Sequence, residues 1–281
     1  MLSAKALVPT KPYDGSIDMR SGRELEINLK TDAAGLKLAM AAKLLAWETP
    51  EAPRRTLRSI YFDTAAGDLK KKHIALRVRK TGRGVAQMGL KWAPASESLF
   101  SRQEVEVPIP GMQPDISLFE AKVAAEIERA TEGRPLEPQF ETLVKRRVRQ
   151  MRLSQSEIEI AFDEGAVIAG ARRLPIREIE LELKSGEEIE LYELAIQLVE
   201  TLPLRLHVVS KAERGFMLVS GEHPQPVIAP DLRYSADARR QSLRDCVRLV
   251  WTRDRSSRRR SAQELEDVQA NKNFLALNRQ S

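Results

Sequence analysis

Along Glu24-Leu25-Glu26-Ile27-Asn28-Leu29-Lys30, carboxylates, an amide and an amine recur at every second residue, with Leu and Ile between them. Carboxylates two residues apart on a strand project to one side, where they can share a hard cation such as Mg2+ or Mn2+ through oxygen. The same spacing returns at Arg77/Arg79, at Arg102/Glu104/Glu106 and at Glu178/Glu180/Glu182/Lys184, while Lys91 and Arg146 stand in similar alternating runs. Guanidinium forks and ammonium groups suit phosphate oxygens. Acids for a cation beside bases for an anion specify a metal-bound polyphosphate. The chain contains no GxxxxGK[ST], so a P-loop is not the device. Nor is there a Ser/His/Asp or Cys/His constellation for nucleophilic catalysis.

These side chains need elements to position them. On an ordinary antiparallel sandwich an alternating charged face simply meets water. Here six strands share the pattern, each with an opposite face of mostly Leu, Ile or Val. If the apolar faces pack against surrounding helices, the charged faces must point at one another across a lumen. Burying so many charges is costly unless they pair or meet a ligand.

Period-two alternation predicts strands at 24–30, 56–63, 75–80, 85–92, 102–109, 140–153, 157–163 and 176–184. Thr81-Gly82-Arg83-Gly84 reads as a hairpin turn between two of them. Helices are expected from a Thr31 or Asp32 cap to about Trp47, at 116–131, at 187–201 and in a short piece from Ser210. Short turns join most strands, which favours a meander over βαβ units. The expected fold is α+β: a closed antiparallel eight-stranded β-barrel with flanking helices. Residues 1–22, with Pro9, Pro12, Gly15 and Gly22, read as a flexible leader.

Composition narrows the function classes. The 281 residues carry 46 Lys/Arg and 40 Asp/Glu, a net charge of +6. Residues 231–281 hold 12 bases and 7 acids, which leaves 34 against 33 before position 231. The body is thus nearly neutral but densely charged, and nucleic acid is the least favoured partner. Cys246 is the only cysteine, and His73, His207 and His223 lack ligand-like spacing. A zinc site or a disulfide-rich secreted fold is therefore not expected. No apolar stretch approaches the roughly 20 residues of a membrane span, so a cytoplasmic protein without a membrane partner is expected.

Further motifs stand in order between the charged strands: Tyr61-Phe62-Asp63-Thr64, Leu76-Arg77-Val78-Arg79, Leu90-Lys91, Arg102-Gln103-Glu104-Val105-Glu106, Phe140-x-Thr142 followed by Arg146, Asp163-Glu164-Gly165, Glu178 to Lys184, and Ser210-Lys211-Ala212-Glu213-Arg214-Gly215. From Arg23 to Gly215 this order and spacing resemble the CYTH or triphosphate-tunnel metalloenzymes, in their bacterial inorganic triphosphatase branch. Glu24 and Glu26 supply both acids of the opening ExExK signature. Asn28 stands at its lysine position, with Lys30 two residues further along the same face. The resemblance implies that Glu24, Glu26, Glu104, Glu106, Glu178 and Glu180 bind Mg2+ or Mn2+. It implies that Lys30, Arg77, Arg79, Lys91, Arg102, Arg146 and Lys211 hold the phosphates, with Glu24, Glu26, Lys30 and Arg102 at the reacting centre. Glu182 and Lys184 fit the strand parity at the rim, Arg214 reads as structural, Tyr61 and Phe62 as wall, and Asp63 as a turn residue.

The activity so implied is hydrolysis of inorganic triphosphate, or another polyphosphate, to pyrophosphate and phosphate. A noncatalytic polyphosphate-binding module, a thiamine triphosphatase and a class IV adenylate cyclase are the alternatives; the oligomeric state is not specified. The resemblance places the CYTH domain at 23–220 and reads 221–281 as a linker, one helix at 235–250 and a basic, largely disordered tail. That tail would be a remnant of the helical histidine-rich CHAD domain of this branch, but no histidine follows His223 and Arg253–Arg260 is arginine-rich.

Overall fold

The computed structural model describes residues 20–42, 53–92 and 100–221, with side chains from Glu24 onward. The expected linker, the helix at 235–250 and the arginine-rich run lie outside the described residues.

Eight strands form the barrel: β1 (Arg20–Lys30), β2 (Arg55–Asp63), β3 (Ile74–Thr81), β4 (Ala86–Trp92), β5 (Ser101–Ile109), β6 (Glu137–Arg152), β7 (Glu157–Ala169) and β8 (Arg172–Ser185). They are ordered β5-β4-β3-β2-β6-β7-β8-β1, and pairing of β1 with β5 closes the cylinder. Every pairing is antiparallel. A two-residue strand, β9 (Arg205–Leu206), adds to β1 at its far end. Closure follows from composition: each strand has one apolar and one polar face, and a closed sheet gives both a place without leaving an edge.

The apolar faces point outward under helices, as the alternation requires. Leu25, Ile27 and Leu29 of β1 and Ile158, Ile160, Ile179 and Leu181 of β7 and β8 are buried in one cluster. It is shared with Leu36 and Ala39 of α1 (Ala33–Ala41) and Leu191, Leu194 and Leu198 of α4 (Glu188–Thr201). A second cluster joins Leu76, Val78, Met88, Leu90, Val105 and Val107 to Leu69 of α2 (Asp68–Lys71) and Ile127 and Ala130 of α3 (Ala121–Thr131). A third lies on the inner face, where Leu57, Tyr61, Phe140, Val144, Val167 and Ile176 pack against Phe216 of α5 (Lys211–Ser220).

Local signals set the helix starts. Asp32 accepts a hydrogen bond from the Gly35 amide at 2.7 Å and caps α1, and Ser210 with Glu213 forms a capping box on α5. The first expected helix is corrected: α1 stops at Ala41, with Ala42 extended, and positions 43–47 of the expectation lie outside the described residues. The last carbonyls of α1 are taken by Arg149, which donates to the Met40 and Ala42 carbonyls. The helix expected over 116–131 is also corrected. A short 3-10 turn (Ile116–Leu118), capped by Asp115, precedes α3 and is separated from it by extended Phe119.

Strand ends run further than the alternation indicated. β1 begins at Arg20, inside the expected leader, and β6, β7 and β8 extend to Glu137, Ala169 and Arg172. Val167 and Ala169 on the extension of β7 are apolar inner positions packed with Phe216 of α5, which erases the alternation there. Asp63 shapes the turn after β2: its carboxylate accepts from the Thr64, Leu69 and Lys70 amides at 2.7, 2.9 and 2.9 Å.

Candidate functional site

Glu24, Glu26, Asn28 and Lys30 alternate with the buried Leu25, Ile27 and Leu29, so β1 turns its polar face inward. The register then carries this face round the cylinder. Glu24 is opposite Arg102, Asn28 opposite Glu180 and Lys30 opposite Glu178. Arg77 lies beside Tyr61 and Gly89, and Gly89 beside Glu106. Arg146 lies beside Asp163, and Asp163 beside Glu178. Partners across a ladder share a face, so every predicted site residue on a strand has its side chain on the inner wall, and Lys211 alone comes from a helix.

The charges meet in two groups. In the first, the Lys91 ammonium lies 2.5 Å from Glu24, 3.2 Å from Glu104 and 3.8 Å from Glu26. Arg77 donates to Glu104 at 2.9 Å and to Glu106 at 3.0 Å. Gly89 makes room for this fork: a Cβ there would stand 3.2 Å from a Glu106 carboxylate oxygen and 3.5 Å from Arg77 Nε. Burial alone would lower the pKa of Arg77, yet Glu104 and Glu106 hold it well above the arginine value. Burial would raise Glu106, but Arg77 and Arg79 bring it down to about 2.

The second group sits under α5. Arg146 makes a two-pronged contact with Asp163, Nε to Oδ1 at 2.7 Å and Nη2 to Oδ2 at 2.6 Å, and also donates to Glu180. Lys211 enters from α5 and touches Asp163 at 2.8 Å together with Glu178 and Glu180. Arg214, one turn on, donates to Glu178 at 2.6 Å. Asp163 and Glu178 are both 0% exposed. Gly215 lets α5 come this close, since a Cβ there would fall 1.9 Å from the Phe140 ring.

Three of the predicted cations are left without a carboxylate. Arg79 donates only to the Ser59 hydroxyl, at 3.1 Å. Its pKa is lowered by burial first and then by Arg77 and Arg146. Arg102 and Lys30, half-buried on the inner wall, form no ion pair with a described residue. On the acidic side Glu26 is raised by burial, Glu180 and Glu24, against the pull of Lys91. Its Oε1 accepts the Asn28 amide at 2.6 Å. Glu182 is raised mainly by burial and bonds Lys184 at 2.6 Å.

The donor set fits a hard divalent ion. Oxygens of Asp163, Glu178 and Glu180 lie within 4.8 Å of one another, and all are carboxylate, as Mg2+ or Mn2+ prefers. Glu24 and Glu26 supply further oxygens on the neighbouring strand, whereas Glu106 is engaged by Arg77. Three inner residues escaped the sequence-derived set. Asp163 was placed at a strand end, although β7 continues past it. Arg214 is one helical turn from Lys211, a spacing that would have shown the shared face. Arg55, opposite Arg146 in the register, precedes the predicted strand start by one residue, and its parity would have placed it inside.

Comparison with known proteins gives a consistent family likeness. Residues 22–216 match the CYTH domain family. A protein of Haemophilus influenzae named inorganic triphosphatase is 32% identical over 168 residues, 58% of this chain and 46% of that protein. The chain thus spans about half the length of this curated relative. Among solved structures, a Hippeastrum adenylyl cyclase candidate, described as having a dominant triphosphatase activity, overlaps with a TM-score of 0.49 at 24% identity. It covers 71% of this chain and 97% of its own. A Pyrococcus horikoshii protein overlaps with a TM-score of 0.42 at 18% identity, over 68% and 97% of the two chains. No helix among the described residues is long and apolar enough to cross a membrane.

Proposed function

Since this chain belongs to the CYTH domain family, we propose that it hydrolyses inorganic triphosphate to pyrophosphate and phosphate inside the barrel, with Mg2+ or Mn2+. The observation that carries the reading is Arg79. A half-buried guanidinium crowded by Arg77 and Arg146, with a hydroxyl as its hydrogen-bond partner and only the weaker pull of Tyr61 and Glu106 against burial, is a charge that a phosphate would compensate.

The chain's own groups divide the work. Arg77, Arg79 and Arg146 stand where they can bind successive phosphate oxygens, and fixed guanidinium forks need no reorganisation as charge shifts toward the leaving group. Arg102 and Lys30 can take further phosphate oxygens. Glu24 and Glu26, with Asp163, Glu178 and Glu180, would hold the divalent ion, and the Asn28 amide fixes the Glu26 carboxylate. A bound divalent ion supplies charge stabilisation at phosphate oxygens and a water of lowered pKa. The attacking group is water, since no inner side chain among the described residues is arranged as a nucleophile.

Phosphate release from tripolyphosphate, ATP and thiamine triphosphate, each with Mg2+, with Mn2+ and without metal, tests the reading. Preferential, metal-dependent turnover of tripolyphosphate is expected, and Glu24→Gln or Glu26→Gln should abolish it while leaving the circular dichroism unchanged. Turnover of ATP alone, with release of cyclic AMP, would replace the substrate. Asn28 favours one second reading, a polyphosphate binder: a neutral amide occupies the family's lysine position. Tight tripolyphosphate binding with no turnover under any metal would establish it.

A further inference from the structure

The three carboxylates under α5 share one arrangement. Each gives an oxygen to a guanidinium: Asp163 Oδ1 and Glu180 Oε2 to Arg146, Glu178 Oε2 to Arg214, with Asp163 Oδ2 accepting from Arg146 as well. Each turns its other oxygen, Asp163 Oδ2, Glu180 Oε1 and Glu178 Oε1, toward the Lys211 ammonium. The guanidiniums are planar forks seated on their partners. The ammonium is a point charge on a flexible stem, at the place where three oxygens converge. Two features mark this seat as made for a different cation. Glu178 Oε1 is buried and accepts no hydrogen bond although the ammonium is beside it. The same three residues form the group whose oxygens lie close enough to ligate one ion.

We propose that Lys211 holds the cation seat of Asp163, Glu178 and Glu180 in the metal-free protein, that a divalent ion displaces it, and that the freed ammonium passes to the phosphate chain. The proposal rests on the phosphohydrolase reading and adds an exchange to it. A divalent ion and an ammonium cannot share the same three oxygens without like-charge repulsion. Displaced ammonium must find another anion, because leaving it unpaired in a site where it is 10% exposed is costly. The phosphate held by neighbouring Arg146 is that anion. Metal and phosphate therefore promote each other's binding: each takes one partner of an ion pair that neither can break cheaply alone. The Lys211 pKa, held up by Asp163, Glu178 and Glu180 against burial, agrees with a fully charged competitor. The helix itself stays seated by Phe216 on Phe140, so only the side chain need move.

Two measurements on the full chain test the exchange. Mn2+ binding without phosphate, followed by electron paramagnetic resonance of the free ion, is compared between wild type and Lys211→Met. The variant is expected to bind Mn2+ more tightly by about 5- to 150-fold, the ordinary span of a coupling between two sites. Unchanged or weakened affinity in a variant with native circular dichroism would overturn the proposal. The second measurement needs no variant: acylation of Lys211 in wild-type protein, read by mass spectrometry. Lys211 should react slowly without metal, faster with Mn2+ alone, and slowly again when pyrophosphate is added to the Mn2+ form. Protection that persists at saturating Mn2+ also overturns it. Phosphate release by the same preparation separates the two ideas. Turnover with Lys211 still protected removes the exchange alone, and exchange without turnover removes hydrolysis alone.

Discussion

A residue whose charge is left unmatched reveals more than a well-paired one, and Arg79 is such a residue. Replacing it with Gln should lower kcat/KM for tripolyphosphate by about 10- to 100-fold, the loss of one or two charged hydrogen bonds. The same change should leave the melting temperature of the ligand-free protein unchanged or higher, because a half-buried cation crowded by Arg77 and Arg146 has gone. Calorimetry beside kinetics checks both, and a large loss of stability would show that Arg79 is structural. Glu106 gives a pH prediction with a definite sign. Its folded-state pKa, about 2, lies below the ordinary 4.5, so its contribution to stability is complete above the unfolded value. It is lost as pH falls from there toward about 2. Denaturant midpoints of Glu106→Gln and wild type should therefore converge progressively as pH falls from about 5 toward about 2. Strand parity made most of these side chains readable, since Glu24, Arg77, Lys91, Glu180 and the others were named by it. Asp163 and Arg55 escaped because each stands at the end of a predicted strand, where parity has no neighbour to confirm it.

Among the elements, α5 decides most. Its start was legible in Ser210, whose side chain and that of Glu213 satisfy each other's backbone amides. Its seat was not, because the surface that receives it is assembled from β2, β6, β7 and β8 together. Gly215→Ala would press a methyl group into the Phe140 ring. An overpacking cost of about 1–3 kcal/mol is expected, and with it tighter Mn2+ binding as Lys211 and Arg214 withdraw from the carboxylates that the metal would take. A thermal melt and an Mn2+ titration together check this; an unchanged titration would mean that the two cations do not depend on the helix's seat. The shortened α1 has a similar lesson. Apolar spacing ran on toward Trp47, but Arg149, from a strand over a hundred residues away, takes the last carbonyls at Met40 and Ala42.

At the scale of the whole molecule, the described strands close into a cylinder whose interior is neutralised by its own lysines and arginines. Removing metal should therefore abolish turnover without unfolding the chain, since Lys91 and Lys211 remain to balance the acids. Chelation followed by circular dichroism and a phosphate-release assay checks this. Restoring Mn2+ at about a hundred times its dissociation constant should stabilise the fold by about 2.7 kcal/mol, and loss of native structure on chelation would contradict the picture. By itself the sequence determined the period-two division of each strand, and so the fold class, the charged inner wall and the chemistry that wall could support. Those follow from backbone geometry, which sends alternate side chains to opposite faces whatever the rest of the chain does. Only the tertiary structure decided which charges meet: Lys91 with Glu24, 67 residues apart, Arg146 with Glu180, and Lys211 with three acids at once. Distances across a barrel depend on how far its strands slide before the sheet closes and on where a helix docks, and no local run of residues contains either.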